Sequence, residues 1–230
     1  MKLNFFAQWL RRQESIRIMT IEEWIKSLPK GKKLLDAGAG HMPFKSLCLS
    51  NEIDYISQDF GEYIGGETWG NSTAEEWSAK KCSIQSDITD IPLKDETFDY
   101  ILCTEVLEHV FSIEKALTEL VRLVKKQGEI LITIPFCCLP HQKPYFFTSG
   151  ISNEWFEKFA NDSNCQINTI KVGNISTQII KLSIIRASNT KNLFYKIGLY
   201  FISLQLFLAD KLIRSNIDAY DSLIVFLKKN

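Results

Sequence analysis

Residues 34–40 of this 230-residue chain, with the sequence LLDAGAG, constrain the fold more than any other segment. An apolar strand runs into an acid, Asp36, and then into a Gly-x-Gly turn formed by Gly38 and Gly40. Glycines at the end of a strand let the backbone approach a ligand closely, because no Cβ stands in the way. A second acid, Asp59, follows nineteen residues after Gly40, a spacing suited to binding ribose hydroxyls. The pattern predicts a site for a nucleoside-bearing cofactor.

A residue just after the turn, Pro43, indicates which kind of cofactor the site can bind. A dinucleotide fold requires a third glycine three residues after the second, where helix and strand pack closely beneath a pyrophosphate. Pro43 stands at that position. The segment therefore favours a cofactor without phosphate, such as S-adenosylmethionine, over NAD. A tight strand-to-helix turn with no ligand stays open as the alternative.

Length and composition favour small-molecule chemistry in one α/β domain. The chain has 27 basic and 27 acidic residues, with no basic block, so the broad positive surface of a nucleic-acid binder is not expected. The six cysteines show no C-x-x-C spacing and indicate buried thiols in a reducing compartment. The first residues lack a continuous apolar core, so we expect a cytoplasmic protein.

Residues 193–212 are the most apolar segment of the chain. Charged residues interrupt it, and its longest uncharged run, 197–209, is shorter than a bilayer-spanning helix requires. We therefore expect no transmembrane span. The segment predicts a buried or interfacial helix, and peripheral membrane contact through it stays open.

Strand and helix patterns alternate along the chain. Strands are predicted at 33–36, 55–58, 82–86, 98–103 and 129–135, and helices before the first strand, at 44–51, 113–126 and 152–160. Ser112 is a candidate cap for the helix at 113–126. This alternation is typical of a parallel sheet with crossover helices. Residues 61–81 lack a clear period and predict a loop with a short helix.

Five segments together resemble the class I S-adenosylmethionine-dependent methyltransferases, in particular their methyltransferase type 11 branch. In order, they are LLDAGAG at 34–40, YISQDF at 55–60, SDITDIPLKDETFDYILCTEVLEHV at 86–110, LTELVRLVKKQGEILITIPF at 117–136 and HQKPYFFTSG at 141–150. The order and spacing of the segments are more specific than any one of them.

The resemblance implies an α/β fold with a Rossmann-like, seven-stranded, mostly parallel sheet and helices on both faces. The last strand, at 222–228, would be antiparallel and would pair with a strand near 167–172. The whole chain, 1–230, would form one methyltransferase domain. Its expected parts are a helical segment at 1–30, a cofactor-binding core at 31–150, and a C-terminal part at 151–230 with a helical insertion at about 174–215.

The resemblance also assigns cofactor-binding roles. Asp36, Gly38 and Gly40 would surround the methionine part, and Asp59, followed by Phe60, would bind ribose. The remaining assignments are Asp87 and Ile88 for adenine, and Thr104 and Glu105 for the sulfonium side. Because acids also cap turns and helices, Asp36 or Asp87 alone has a purely structural alternative. Their occurrence at successive strand ends favours a ligand.

Methyl transfer requires alignment of the acceptor and exclusion of water, and a general base is optional. His141 and His109 are the candidate bases, since both follow strand ends. His141 ranks first because it precedes Tyr145, Phe146 and Phe147 in a loop suited to closing over a substrate. A structural imidazole is the alternative for each histidine.

Glu105, Glu108 and His109 form an E-x-x-E-H cluster. Similar clusters bind a divalent metal in small-RNA 2′-O-methyltransferases and in some quinone-pathway O-methyltransferases, and His141 is the remaining histidine that could join such a site. Many relatives carry the same letters without metal, so no metal ligands are assigned.

The function expected from the sequence is S-adenosylmethionine-dependent methyl transfer to a hydroxyl or amine of a small-molecule acceptor, with a sugar or glycan precursor as the leading guess. One alternative is a non-catalytic protein of the same fold that binds a partner through 193–212. The other is a metal-assisted O-methyltransferase that uses the Glu105, Glu108 and His109 cluster. The oligomeric state, a homodimer included, is left open.

Overall fold

The computed structural model describes residues 3–61, 82–136, 138–212 and 220–230. The described strands are β1 (Lys33–Ala37), β2 (Asp54–Asp59), β3 (Ile84–Gln85), β4 (Phe98–Thr104), β5 (Val124–Pro135), β6 (Cys165–Val172) and β7 (Ser222–Lys229). The α-helices are α1 (Leu3–Ser27), α2 (Lys45–Ser50), α3 (Ile113–Leu123), α4 (Asn153–Asp162), α5 (Ile175–Ser188) and α6 (Leu193–Leu212), and a 3₁₀ turn covers Leu107–His109.

The seven strands form one sheet in the order β3-β2-β1-β4-β5-β7-β6. Strands β1 to β5 are parallel, and the antiparallel arrangement lies in β5-β7-β6, so the predicted fold class is confirmed. The strand order reverses between β1 and β4, which are direct neighbours. At such a switch point the loops after the two strands leave in opposite directions and open a crevice at the carboxyl edge.

The end of α3 differs from the prediction. The helix stops at Leu123 rather than Lys126, because Val124 already pairs with Phe98 in the sheet. The pairing then resumes between Glu129 and Tyr100, so the residues between Val124 and Glu129 bulge out of β5. A side chain at Gly128 would stand 2.6 Å from the backbone oxygen of Asp99, which explains a glycine there. Ser112 precedes α3 as predicted but makes no side-chain capping bond.

The other predicted elements lie within a few residues of those observed. The third strand is shorter than predicted, and the helix before β1 covers Leu3–Ser27. The loop predicted at 61–81 lies, beyond Gly61, outside the described residues. Two helices, α5 and α6, occupy the predicted insertion. Three of the cysteines, Cys48, Cys103 and Cys165, are buried as free thiols, whereas Cys82 and Cys138 are partly exposed.

The chain divides into two compact units. One contains Ile18–Ile170 and Leu223–Asn230, and the other contains Met1–Arg17 and Lys171–Ser222. Assignment of the whole chain to a single domain stays a prediction. In the first unit, the core consists of apolar residues of the sheet and of the helices beside it, including the fully buried Phe98, Leu117, Leu120 and Phe156.

The second unit is built on a helical hairpin of α5 and α6. Ile180 and Phe207 are buried together in it, with Ile184 and Leu206 packed against them. A capping box between Asn174 and Thr177 begins α5. None of the helices in the described part of the chain is both long and apolar enough to cross a membrane.

Candidate functional site

A cavity of about 350 Å³ opens at the carboxyl edge of the sheet, at the switch point between β1 and β4. Its size is at the lower end of small-molecule sites, roughly 300 to 1,000 Å³. Its wall contains residues that follow β1, β2, β3 and β4, together with the loop around 142–147. The lining residues are Gly38, Gln58, Asp59, Phe60, Asp87, Ile88, Thr89, Glu105, Val106, His109, Val110, Phe111, Ser112, Gln142, Tyr145 and Phe147.

The glycine turn after β1 forms the floor of the cavity. Gly38 has φ of 71°, a conformation that residues with a side chain rarely adopt. A Cβ on Gly38 would also overlap the side chain of Val106, standing 2.7 Å from its Cγ1. The amides of Gly38 and Ala39 both donate to the carbonyl of Gln58, each at 2.9 Å. The turn is therefore fixed between the ends of β2 and β4.

Asp59 ends β2 and is held by the backbone on both sides. The amide of Gly40 donates to its Oδ2 at 3.0 Å, and the amide of Gly61 donates to its Oδ1 at 2.9 Å. Only 4% of Asp59 is exposed, yet it lines the cavity. Each carboxylate oxygen has a second lone pair, so the group can also accept a hydrogen bond from a ligand hydroxyl.

Gln58 connects three strand ends and was not identified from the sequence. Its side-chain Oε1 accepts from the amide of Gly38 at 3.2 Å, and its Nε2 donates to the carbonyl of Ser86 at 2.6 Å. Only 1% of it is exposed. A polar residue directly before the predicted ribose acid was the available sequence signal.

Asp36 lies below the cavity and is not part of its lining. Only 2% of Asp36 is exposed, and the Tyr55 hydroxyl donates to its Oδ2. Burial raises the pKa of Asp36 to about 7; the hydrogen bond from Tyr55 opposes the shift, and the charge of Asp59 adds to it. Asp36 is therefore held in the interior by Tyr55 and does not reach the cavity.

The adenine candidates follow β3. Oδ1 of Asp87 accepts from the amide and the hydroxyl of Thr89, both at 2.8 Å, so Asp87 does cap a local turn while it also lines the cavity. Ile88 is buried and presents an apolar surface to the same space. Farther along this segment, the carboxylate of Glu119 accepts from the amide of Ile91 at 2.8 Å and anchors the loop to α3.

The end of β4 carries a second residue with unusual backbone geometry. Glu105 has φ of 54°, and its amide donates to the carbonyl of Thr133 at 3.0 Å. The Thr133 hydroxyl donates to Oε1 of Glu105 at 3.0 Å, which orients the carboxylate. Left-handed backbone in a residue with a side chain is costly and concentrates at functional sites. Thr104, the last residue of β4, does not line the cavity.

His109 lies on the wall, in the 3₁₀ turn after β4. Its Nδ1 is 2.7 Å from the carbonyl oxygen of Tyr145, and because a carbonyl only accepts, Nδ1 must carry the proton. Burial lowers the pKa of His109 to about 4; the bond to Tyr145 opposes this shift, and His141 adds to it. The imidazole is therefore neutral near pH 7 and offers Nε2 as an acceptor.

His141 stands behind His109. The centroids of the two rings are 4.8 Å apart, and Nδ1 of His141 donates to the carbonyl of Leu139 at 3.0 Å. His141 does not line the cavity, so His109 is the nearer of the two candidate bases. One ligand atom from each of Glu108, His109 and His141 lies within 4.8 Å of the others. Glu105 is not in this group.

Aromatic rings form the outer wall. Phe60 packs edge-on against Tyr145 with ring centroids 5.2 Å apart, and Phe111 packs on Phe147 at 5.5 Å. The amide of Phe147 donates to the carbonyl of Glu108 at 2.9 Å, which ties this loop to the 3₁₀ turn. Phe146, in contrast, packs on His141.

Of the eleven residues given a cofactor or catalytic role from the sequence, seven line the cavity: Gly38, Asp59, Phe60, Asp87, Ile88, Glu105 and His109. Asp36, Gly40, Thr104 and His141 do not line it. The other lining residues include Tyr145 and Phe147, from the loop noted in the sequence, and residues next to the selected ones, such as Gln58, Val106 and Val110.

The sheet order, the glycine turn and the acids at successive strand ends agree with the fold of the class I methyltransferases, whose methyl donor is S-adenosylmethionine. Comparison with known families is more particular. Residues 35–132 match the family model described as a methyltransferase domain. This match covers less than half of the chain and agrees with the resemblance found in the sequence.

Individual relatives match a little over half of this chain. An uncharacterized protein of Methanocaldococcus jannaschii is 38% identical over 132 residues, which are 57% of this chain and 51% of that protein. A tRNA (carboxymethyluridine(34)-5-O)-methyltransferase of Arabidopsis thaliana is 28% identical over 138 residues, 56% of this chain and 28% of that protein. The chain thus spans about half, or less, of these relatives.

A solved S-adenosylmethionine-dependent methyltransferase from Archaeoglobus fulgidus shares the fold with a TM-score of 0.57. The match covers 94% of both chains at 15% identity. Identity this low supports the fold alone.

Gly38→Ala is expected to destabilise the protein more than Gly31→Ala. Both glycines have φ of 71°, but a Cβ on Gly31 meets nothing within 4 Å. The backbone cost, about 1–2 kcal/mol, is therefore shared, and overlap with Val106 should add roughly 1–3 kcal/mol at Gly38 alone. Denaturant unfolding of both variants measures the difference. Adding Val106→Ala to Gly38→Ala should recover part of the loss; equal stabilities of the two single variants would contradict this account.

Asp36→Asn is expected to stabilise the protein increasingly as pH rises. A carboxyl with a pKa of 3.8 unfolded and about 7 folded favours folding most below pH 3.8 and loses that advantage as pH rises through 7. The neutral amide of the Asp36→Asn variant does not ionise, so this pH-dependent loss of stability is absent. Between about pH 5 and 8 the gain of the variant should grow by roughly 2–3 kcal/mol. Thermal unfolding across this range tests it, and parallel stability curves would refute it.

Proposed function

We propose that this chain transfers the methyl group of S-adenosylmethionine to a hydroxyl or amine of a small-molecule acceptor. The observation that carries the proposal is the cavity at the switch point, where Gly38, Asp59, Asp87 and Glu105 line one space from four successive strand ends. Ligands of open α/β sheets bind at this edge. A purely structural turn would not require four strand ends to converge on one cavity.

The residues along the cavity wall support one orientation of S-adenosylmethionine. The buried carboxylate of Asp59, fixed by the amides of Gly40 and Gly61, would accept hydrogen bonds from the ribose hydroxyls. Ile88 would pack on the adenine ring, and Asp87 would accept from its amino group. Gly38 leaves room for the methionine part, and Glu105 supplies negative charge near the sulfonium.

The acceptor would enter along the aromatic wall of Phe60, Tyr145, Phe111 and Phe147. Aromatic walls favour a partly apolar acceptor of small size. The Arabidopsis relative is named for a tRNA substrate. The balanced charge of this chain, with 27 basic and 27 acidic residues, favours a small molecule instead, and a sugar or glycan precursor remains the leading guess from family resemblance.

His109 would serve as the general base when the acceptor is a hydroxyl. Its neutral imidazole keeps the Nε2 lone pair, because Nδ1 donates to the carbonyl of Tyr145. As the bond from the acceptor oxygen to the methyl carbon forms, the bond from that carbon to sulfur breaks. The hydroxyl proton passes to Nε2, and S-adenosylhomocysteine leaves with the electron pair on sulfur.

Asp59→Ala is expected to weaken binding of S-adenosylmethionine and S-adenosylhomocysteine by about tenfold to a thousandfold, since it removes the ribose acceptors. Calorimetric titration of the purified protein measures this. Asp162→Ala, at an exposed acid paired with Lys158 on α4, is the control and should bind as the wild type does. If folded wild type binds neither compound, the methyltransferase proposal fails and the non-catalytic, partner-binding alternative replaces it.

A second candidate is a metal-assisted O-methyltransferase. The observation that favours it is the group of Glu108, His109 and His141, whose ligand atoms lie within 4.8 Å of one another. Both histidines donate Nδ1–H to backbone carbonyls, which leaves both Nε2 atoms as acceptors, the arrangement usual for metal ligands. Nε2 of His109 lies 3.7 Å from Oε1 of Glu108. Two imidazoles and a carboxylate suit zinc, manganese or iron. A bound ion would polarise the acceptor oxygen.

His141→Gln separates the two candidates because His141 does not line the cavity. If a metal is used, the variant should lose metal binding by about tenfold to a hundredfold, and chelation of wild type should abolish transfer. Calorimetry with zinc and manganese reports the first effect without need of an acceptor. With the His109 base alone, chelation has no effect and His141→Gln transfers at nearly the wild-type rate.

A further inference from the structure

Helix α6 carries a row of apolar side chains that face outward along its length. The row repeats at alternating steps of three and four residues, which places its members on one side of a helix. Their exposed fractions are 87% for Phe194, 56% for Ile197, 59% for Phe201, 40% for Leu204 and 50% for Leu208. We call these five residues the outer stripe. Single exposed apolar residues are ordinary, but five in a row are not.

The opposite side of α6 packs against α5 inside the hairpin. Ser203 and Phe207 are buried, and Phe207 packs with Ile180 of α5. The outer stripe is therefore not needed for the hairpin to form its own core. An apolar surface that no core requires indicates a binding function.

The apolar surface is also wider than the stripe. Leu193, Tyr195 and Ile202 are 65%, 48% and 45% exposed beside it. A helix that pairs with one other helix presents a narrow seam of two apolar positions per seven residues. A broad surface rich in phenylalanine, tyrosine, leucine and isoleucine is typical of a helix that lies in the interface of a membrane.

Charge distinguishes the hairpin from the rest of the chain. Residues 175–212 contain five lysines and arginines but one acid, Asp210, whereas the complete chain has a net charge of zero. The remainder is consequently acidic. Three of the cations, Arg186, Lys191 and Lys196, surround the connection between α5 and α6, and the Arg186 guanidinium lies 5.8 Å from the ring centre of Tyr195. Leu193 and Phe194, the two most exposed of the large apolar residues described in the hairpin, lie at this same end.

We infer that the α5–α6 hairpin docks the protein on an anionic lipid surface, with the outer stripe in the interfacial region and the flanking cations on the lipid headgroups. Positive charge beside an apolar helix face complements anionic headgroups. A second copy of this chain would bring a hairpin of the same positive charge against it, which opposes docking through this face. Since no described helix can span a bilayer, the attachment is peripheral.

Flotation of the full chain with lipid vesicles tests the inference. One set of vesicles contains phosphatidylcholine with an equal share of phosphatidylglycerol, and the other contains phosphatidylcholine alone. We expect the wild type to float with the anionic set, to remain unbound with the neutral set, and to dissociate as salt is raised. The measurement uses no cofactor or acceptor, so its result is independent of the proposed enzymatic function.

Three variants assign the binding to the hairpin. Phe194→Ser with Phe201→Ser should weaken binding to anionic vesicles by about tenfold or more, because two aromatic side chains no longer insert into the lipid. Lys191→Glu with Lys196→Glu should weaken it similarly at low salt and remove its salt dependence. Met19→Ser, which changes a residue that is 56% exposed on α1, is the control and should bind as the wild type does. Circular dichroism verifies that each variant keeps its helices.

Each contrary outcome overturns the inference. Equal flotation with neutral vesicles removes the role of charge, and wild-type binding by the serine variant removes the role of the stripe. If the wild type does not float and instead sediments as a dimer that the serine variant dissociates, the stripe is an interface between copies of this chain.

Discussion

Three consecutive amides of the glycine turn donate to the end of the neighbouring strand, and the site depends on these bonds. Gly38 and Ala39 donate to the carbonyl of Gln58, and Gly40 donates to the carboxylate of Asp59. The turn can make all three only because Gly38 adopts a left-handed backbone and leaves space for Val106. The turn after β1 is thereby joined to the carboxyl end of β2, beside the cavity.

The two buried acids near the turn, Asp36 and Asp59, accept hydrogen bonds from different kinds of donor. Asp59 receives backbone amides, which stay in place whatever the pH, whereas Asp36 receives one phenolic hydroxyl. The raised pKa of Asp36 follows from burial with this weaker compensation. Asp59 thus lines the cavity, whereas Asp36 bonds to Tyr55 in the interior, although the two acids look alike in the sequence.

Much of the fold follows from sequence patterns. Apolar runs with glycine or acid at their ends give the strands, and the period of α3 gives its start at Ile113. The end of α3 could not be predicted, because Val124 exchanges helix for sheet through its pairing with Phe98, which lies far away in the sequence. Local propensity contains no information on such pairing.

The site was predictable in part for a similar reason. Motif spacing identifies which strand ends carry polar groups, since parallel strands end at one edge. Motif spacing does not reveal which of these side chains reach the cavity. His141 seemed closer to an acceptor than His109, yet the 3₁₀ turn after β4 brings His109 to the wall and leaves His141 behind it. The joint placement of Glu108, His109 and His141 likewise depends on the loop at 138–147 returning to that turn.

The position of β7 in the sheet determines when the last strands can pair during synthesis. This strand comes last in the chain but lies between β5 and β6 in the sheet. Its residues Leu223, Ile224, Val225 and Leu227 are fully buried. During synthesis β6 must therefore wait, with its backbone groups unsatisfied by the sheet, until the whole helical hairpin and the final strand have followed it. The last eight-residue strand is the closing piece of the core, and until it is in place β5 remains an open edge to which a foreign strand can add.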